Sequence, residues 1–148
     1  MALNRRASLG VGAAAFAALL APVASRSADF KSPQAVKKGL RILDQVVRHT
    51  GRLIAARNYD LVPGEHHETV EGADFLRQAL KAEAADLKTK VEAELVKTVA
   101  ASAAMETPSK AKDDAALVAA HARFAASVQN VIALFPADLH PPVREKKS

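Results

Sequence analysis

Apolar residues recur along this chain at steps of three and four, the period of a helix that buries one side. The first such run is Val36, Leu40, Leu43, Val47, Thr50 and Ile54. Ser32-Pro33 precedes it, a helix start with Ser at the N-cap and Pro at the first helical position, where its missing N–H costs nothing. A first helix is therefore expected from about Pro33 to Asn58. Pro63-Gly64 and Gly72 then interrupt the pattern, so Tyr59 to Gly72 reads as a long connection or a loosely wound helix start. Phe75, Leu76, Ala79 and Leu80 resume the period, and Leu87, Val91, Leu95 and Val99 carry it to about Ala103. As one helix this stretch would be about 45 Å long. That is long for so small a chain, and a turn is expected near Ala84-Ala85-Asp86 with Asp86 as N-cap, although the pattern itself is equally met by one continuous helix.

Glu106 to Lys110, with Pro108 inside it, is a breaker, and Asp113-Asp114 put negative charge where a helix N-terminus favours it. The last run, Leu117, His121, Phe124, Val128, Val131 and Phe135, alternates steps of four and three, the spacing of left-handed bundle packing. Pro136 closes it. No alternating strand pattern and no internal repeat is present. These elements predict an all-α fold, a helical bundle over residues 28–136, followed by a flexible basic tail at 137–148.

Residues 1–27 have a different character. Arg5-Arg6 stand before a weakly apolar, Ala- and Gly-rich run from Leu9 to Ala24, and small residues suited to signal peptidase follow at Val23/Ser25 or Ser25/Ser27. The run is about 16 residues, short of the roughly 20 strongly apolar residues of a membrane span. A cleavable twin-arginine-type signal is expected, with Arg5 and Arg6 as its address. An anchor helix and the general secretory route are the alternatives.

Composition narrows the function. The chain of 148 residues has a formal charge of +5 and no cysteine. Without cysteine there is no disulfide, thiolate catalysis, Cys-ligated zinc or C-x-x-C-H haem attachment. Arg5, Arg6 and Arg26 belong to or border the signal, and without them the charge is about +2 to +3, with no basic stretch interleaved with aromatics; no nucleic-acid partner is expected. The exposed side of the first helix is basic, carrying Lys37, Lys38, Arg41, Arg48, Arg52 and Arg57 against Asp44 alone. Such a face is either solvated or a docking surface for an acidic partner, and Lys37, Lys38, Arg41, Arg48 and Arg52 are its candidate residues.

The remaining polar clusters are weaker. Glu65-His66-His67-Glu68 has the right residue types for a metal, but neighbours on a helix point about 100° apart and no Glu is followed three residues later by His, the spacing of di-iron bundles. His121 sits in the last seam, where a bundle haem would find an axial ligand, yet His49 faces away and the other expected role is a hydrogen bond to a carbonyl. No triad or phosphate loop is recognisable. The expectation is a protein that is not an enzyme and has no catalytic, metal or cofactor residues.

Three stretches then acquire a common meaning: Leu53-Ile54-x-x-Arg57-x-Tyr59, Ala73-Asp74-Phe75-Leu76-Arg77-x-x-Leu80-Lys81, and Ser127-Val128-x-Asn130-Val131-Ile132-x-Leu134. With a Pro-containing connection at Thr107-Pro108, this order resembles the PsbQ family of extrinsic photosystem II subunits over about Leu40 to Phe135. The resemblance implies a four-helix up-and-down bundle in the chloroplast thylakoid lumen, peripheral to the membrane, that docks on photosystem II lumenal subunits and other extrinsic subunits. It implies support of calcium and chloride retention in the oxygen-evolving complex. The alternative is a bacterial periplasmic bundle that binds haem, a metal or a small ligand.

Overall fold

The computed structural model describes residues 29–143. The expected signal with Arg5 and Arg6, and the basic residues Arg144 to Lys147, lie outside the described residues. Those described are all-helical, with four long helices: α1 (Pro33–Ala55), α2 (Glu65–Ala79), α3 (Ala85–Ala103) and, after the single turn α4 (Glu106–Lys110), α5 (Asp114–Ala133). A 3-10 helix, Tyr59–Gly64, joins α1 to α2, and another, Ala137–Leu139, follows α5.

Pro33 opens α1 as its sequence predicts, although the Ser32 side chain makes no capping bond. The helix ends at Ala55, three residues before the expected Asn58. Arg57 takes a left-handed conformation (φ 59°), and the Asn58 N–H reaches back to the Leu53 carbonyl at 2.9 Å. This closure satisfies the last carbonyls and turns the chain. The seam is broader than one row: Val46 and Leu53 are buried beside Val36, Leu40, Leu43, Thr50 and Ile54, while Val47 is only partly covered.

Of the two readings of Tyr59 to Gly72, a long connection or a helix start, the structure has the helix start. Pro63 and Gly64 complete a 3-10 turn and α2 begins at once with Glu65, so Glu65-His66-His67-Glu68 is the first helical turn, with acidic residues where the helix dipole favours them. Gly72 does not break this helix. It is buried against α1, where a Cβ would stand 2.9 Å from Ile42 Cγ2 and 3.1 Å from Leu43 Cδ2. Its lack of a side chain lets the two helices approach.

A turn does divide α2 from α3, at Leu80–Ala84. Ala84 is the N-cap residue of α3, however, and Asp86 lies in the first turn, where it meets the helix dipole without capping. At α5 the cap is present: Asp113 Oδ1 accepts the Ala116 N–H at 3.1 Å.

The long helices form a ring in which α1 packs on α2 and α5, and α3 packs on the same two. Neighbours run in opposite directions. His49 and Glu65 at one end and Gly39 and Leu76 towards the other join α1 to α2. Arg77–Glu92 and His66–Ser102 join α2 to α3, and Tyr59–Asp114 and Phe30–Phe135 mark the two ends of the contact between the first and last segments. Leu40, Leu43, Leu76, Leu95, Leu117 and Phe124 fill the middle with almost no exposure. Thr50, Thr69 and Thr98 sit in this core because each hydroxyl bonds a carbonyl one turn earlier, at 2.7, 3.1 and 3.0 Å.

Packing continues beyond position 136, the expected edge of the bundle. Leu139 is buried, and the Pro142 carbonyl accepts a bond from Arg48 at 2.9 Å.

Candidate functional site

At 100° per residue, Lys37, Arg41, Arg48 and Arg52 fall within about 60° of one another on α1, on the side away from its buried seam. The structure divides the five expected docking residues. Lys38 stands about one position around the helix, with its ammonium 5.1 Å from the centroid of the Phe75 ring on α2. Arg48 is held from two sides, 2.9 Å from Asp44 one turn earlier and bonded to the Pro142 carbonyl. Lys37, Arg41 and Arg52 are exposed, and none takes part in an ion pair among the described residues. Asp44 thus meets the charge of Arg48 within the chain, and Phe75 holds the Lys38 ammonium over its ring, turned away from the other four. The free row has three cations.

Beside it runs an acidic row that the sequence pattern missed. Glu65, Glu68 and Glu71 face a cleft of about 540 Å³ between α1 and α2, whose other walls include Ile42, Gln45, Val46, His49 and Phe75. The signal was the three-residue spacing of the glutamates, hidden because Tyr59 to Gly72 read as a long connection or a loosely wound helix start. Lys38 lines the same cleft, so these glutamates face a cation of α1.

The four contiguous polar residues have separate partners. Glu65 accepts from His49 Nδ1 at 3.0 Å, and His67 and Glu71 pair along the exposed surface at 3.0 Å. His66 Nδ1 lies 2.6 Å from Ser102 Oγ. The Ser102 hydroxyl also lies 2.8 Å from the Val99 carbonyl, so the pair ties α2 to the backbone of α3. Among the described residues no group of three or more His, Asp or Glu side chains is arranged to hold a metal ion. His121 donates from Nε2 to the Val47 carbonyl at 2.9 Å, joining α5 to α1 through the carbonyl bond expected for a seam histidine. Gly51 leaves room for its ring, since a Cβ there would lie 3.2 Å from His121 Cε1.

At the end of the bundle where α1 stops, the Tyr59 hydroxyl donates to Asp114 Oδ1 at 2.5 Å. That hydrogen bond raises the phenol pKa above its ordinary value, with burial and the charge of Asp114 adding to the effect and nearby Arg57 opposing it.

The described residues together define a class: an all-helical domain of four long helices with a cationic row on the outside of its first. No protein-family model, curated protein or solved structure matches the chain. No helix among the described residues is long and apolar enough to cross a membrane.

Proposed function

We propose that this protein is a non-catalytic extrinsic subunit that docks through α1 on an acidic protein surface. Following the resemblance to the PsbQ family, that surface is the lumenal face of photosystem II, where the bound subunit shields the manganese cluster and slows the loss of calcium and chloride. The observation that carries the reading is the row Lys37, Arg41 and Arg52, exposed and without an ion pair among the described residues. Cations held in register on a rigid helix steer a bulky partner and fix its orientation, at little cost in side-chain ordering beyond their own. Delivery by a cleavable twin-arginine-type signal at residues 1–27 belongs to the same proposal.

The test is a salt wash. Exposed ion pairs weaken as the Debye length falls from about 10 Å at 0.1 M salt to about 3 Å at 1 M. Washing thylakoids in about 1 M NaCl should release the protein without detergent, and oxygen evolution at low calcium and chloride should fall and then recover on its return. Retention through that wash, with release only by detergent, would contradict electrostatic docking.

A further inference from the structure

Helix α3 has a second seam that nothing among the described residues covers. Its buried side is Leu87, Val91, Leu95, Thr98 and Ser102. On the opposite side Ala85, Thr89, Ala93, Val96, Ala100 and Ala103 fall in one sector of about 80°. All six are exposed, Val96 by 55%, and none is charged. An outward helix face normally carries charges. Here they stand at the two edges, Lys88 and Glu92 along one, Asp86, Lys90 and Lys97 along the other.

Next to this seam, between α2 and α3, is an apolar groove of about 570 Å³. Leu80, Val91 and Leu95 line it together with Thr89 and Ala93, and the Arg77–Glu92 ion pair and Lys88 stand at its rim.

We propose that the outer face of α3 binds a second copy of this chain, α3 against α3, in antiparallel orientation. Charge complementarity selects this occupant. A two-fold axis crossing α3 beside Val91 and Glu92 sets Lys97 opposite the partner's Asp86 and, by symmetry, Asp86 opposite the partner's Lys97. The same axis lays Thr89 on the partner's Ala93 and drops Val96 between the partner's Ala85 and Thr89. On the other edge it brings Lys88 within side-chain reach of the partner's Glu92. The groove is centred on this axis, since its α3 lining runs from Lys88 to Leu95. Small side chains along the seam permit a close approach of the two helices. Asp86 is free for the pairing, being exposed and outside the ion pairs of the described residues, while Lys97 reaches only Glu94 of its own helix at 3.3 Å. Because α3 lies diagonally across the ring from α1, the dimer leaves both cationic rows open, and the proposal stands independently of what those rows bind.

Sedimentation of the full chain over a range of concentrations tests it. The expected result is a reversible monomer–dimer equilibrium. Lys97→Asp should weaken it by at least about tenfold, because two like-charge contacts replace two ion pairs. Adding Asp86→Lys to that variant should restore association, which a merely sticky surface would not do. Ala93→Glu, which puts charge at the axis, should abolish the dimer with helical content unchanged by circular dichroism. A monomer at every concentration up to about 1 mM, an unaffected Ala93→Glu dimer, or failure of the charge swap to restore association would each overturn the proposal.

Discussion

Phe124 has no exposed surface and sits at the centre of the last seam, where α5 meets the rest of the ring. Truncating it to Ala removes a whole ring that its neighbours cannot replace, and should cost about 3–5 kcal/mol in urea or thermal unfolding. Tyr59 makes a different prediction. Its folded pKa is raised, so between the unfolded value near 10 and the higher folded one the native state holds a proton that the unfolded chain has lost. The stabilisation is complete below the unfolded pKa and is lost as pH rises through the folded pKa. Melting temperatures of the wild type and Tyr59→Phe should therefore differ most below pH 10 and converge above it; a difference that persists unchanged at high pH would count against the Asp114 bond as its source. Residues of this kind vary in legibility. The pattern placed Phe124, and the seam position of His121 announced a carbonyl bond. The Tyr59–Asp114 bond joins residues 55 apart and follows from no local signal.

At the scale of elements, glycine context separates the readings. Gly64 and Gly72 look alike as breakers in the sequence, but they do opposite things. Gly64 has ordinary helical angles (φ −63°, ψ −27°) and open space where a Cβ would go. Gly64→Ala should stabilise the protein by about 0.4–1 kcal/mol through the unfolded state. Gly72→Ala drives a methyl into Ile42 and Leu43 and should destabilise by about 1–3 kcal/mol. Paired denaturation curves check both signs, and a neutral Gly72→Ala would mean that α1 and α2 lie further apart than described. The starts of α1 and α5 were legible from Ser32-Pro33 and Asp113-Asp114, and the buried seams of α1, α3 and α5 because an apolar stripe is a local property; the start of α3 was expected two residues late, with Asp86 in place of Ala84 as N-cap. The start of α2 was not legible, because Pro63-Gly64 suits a loop as well as the tight 3-10 turn that feeds directly into Glu65. The acidic row beside the cationic one was lost with it. The outer seam of α3 was obscured for a related reason: alanines contribute to the helical composition everywhere, and only the packed structure says which of them face out.

For the whole molecule, arrangement matters more than any single group. Phe30 is buried against Phe135, with ring centroids 5.6 Å apart, and the Lys31 N–H is bonded to Glu83 at 2.8 Å, so folding fixes the chain within a few residues of the expected cleavage positions. If the twin-arginine route exports it, replacing Arg5 and Arg6 by Lys should block maturation, read as loss of the shorter form on a gel; processing that continues unchanged would remove that route from the account. Docking bears more directly on function. Arg48 and Lys38 are engaged with Asp44, the Pro142 carbonyl and Phe75, which leaves Lys37, Arg41 and Arg52 to carry it. The most direct measurement is the rebinding of a Lys37→Glu, Arg41→Glu, Arg52→Glu triple variant to salt-washed thylakoids, with helical content checked by circular dichroism. The account predicts a fully helical protein that no longer rebinds while the wild type does. Rebinding equal to the wild type would contradict it.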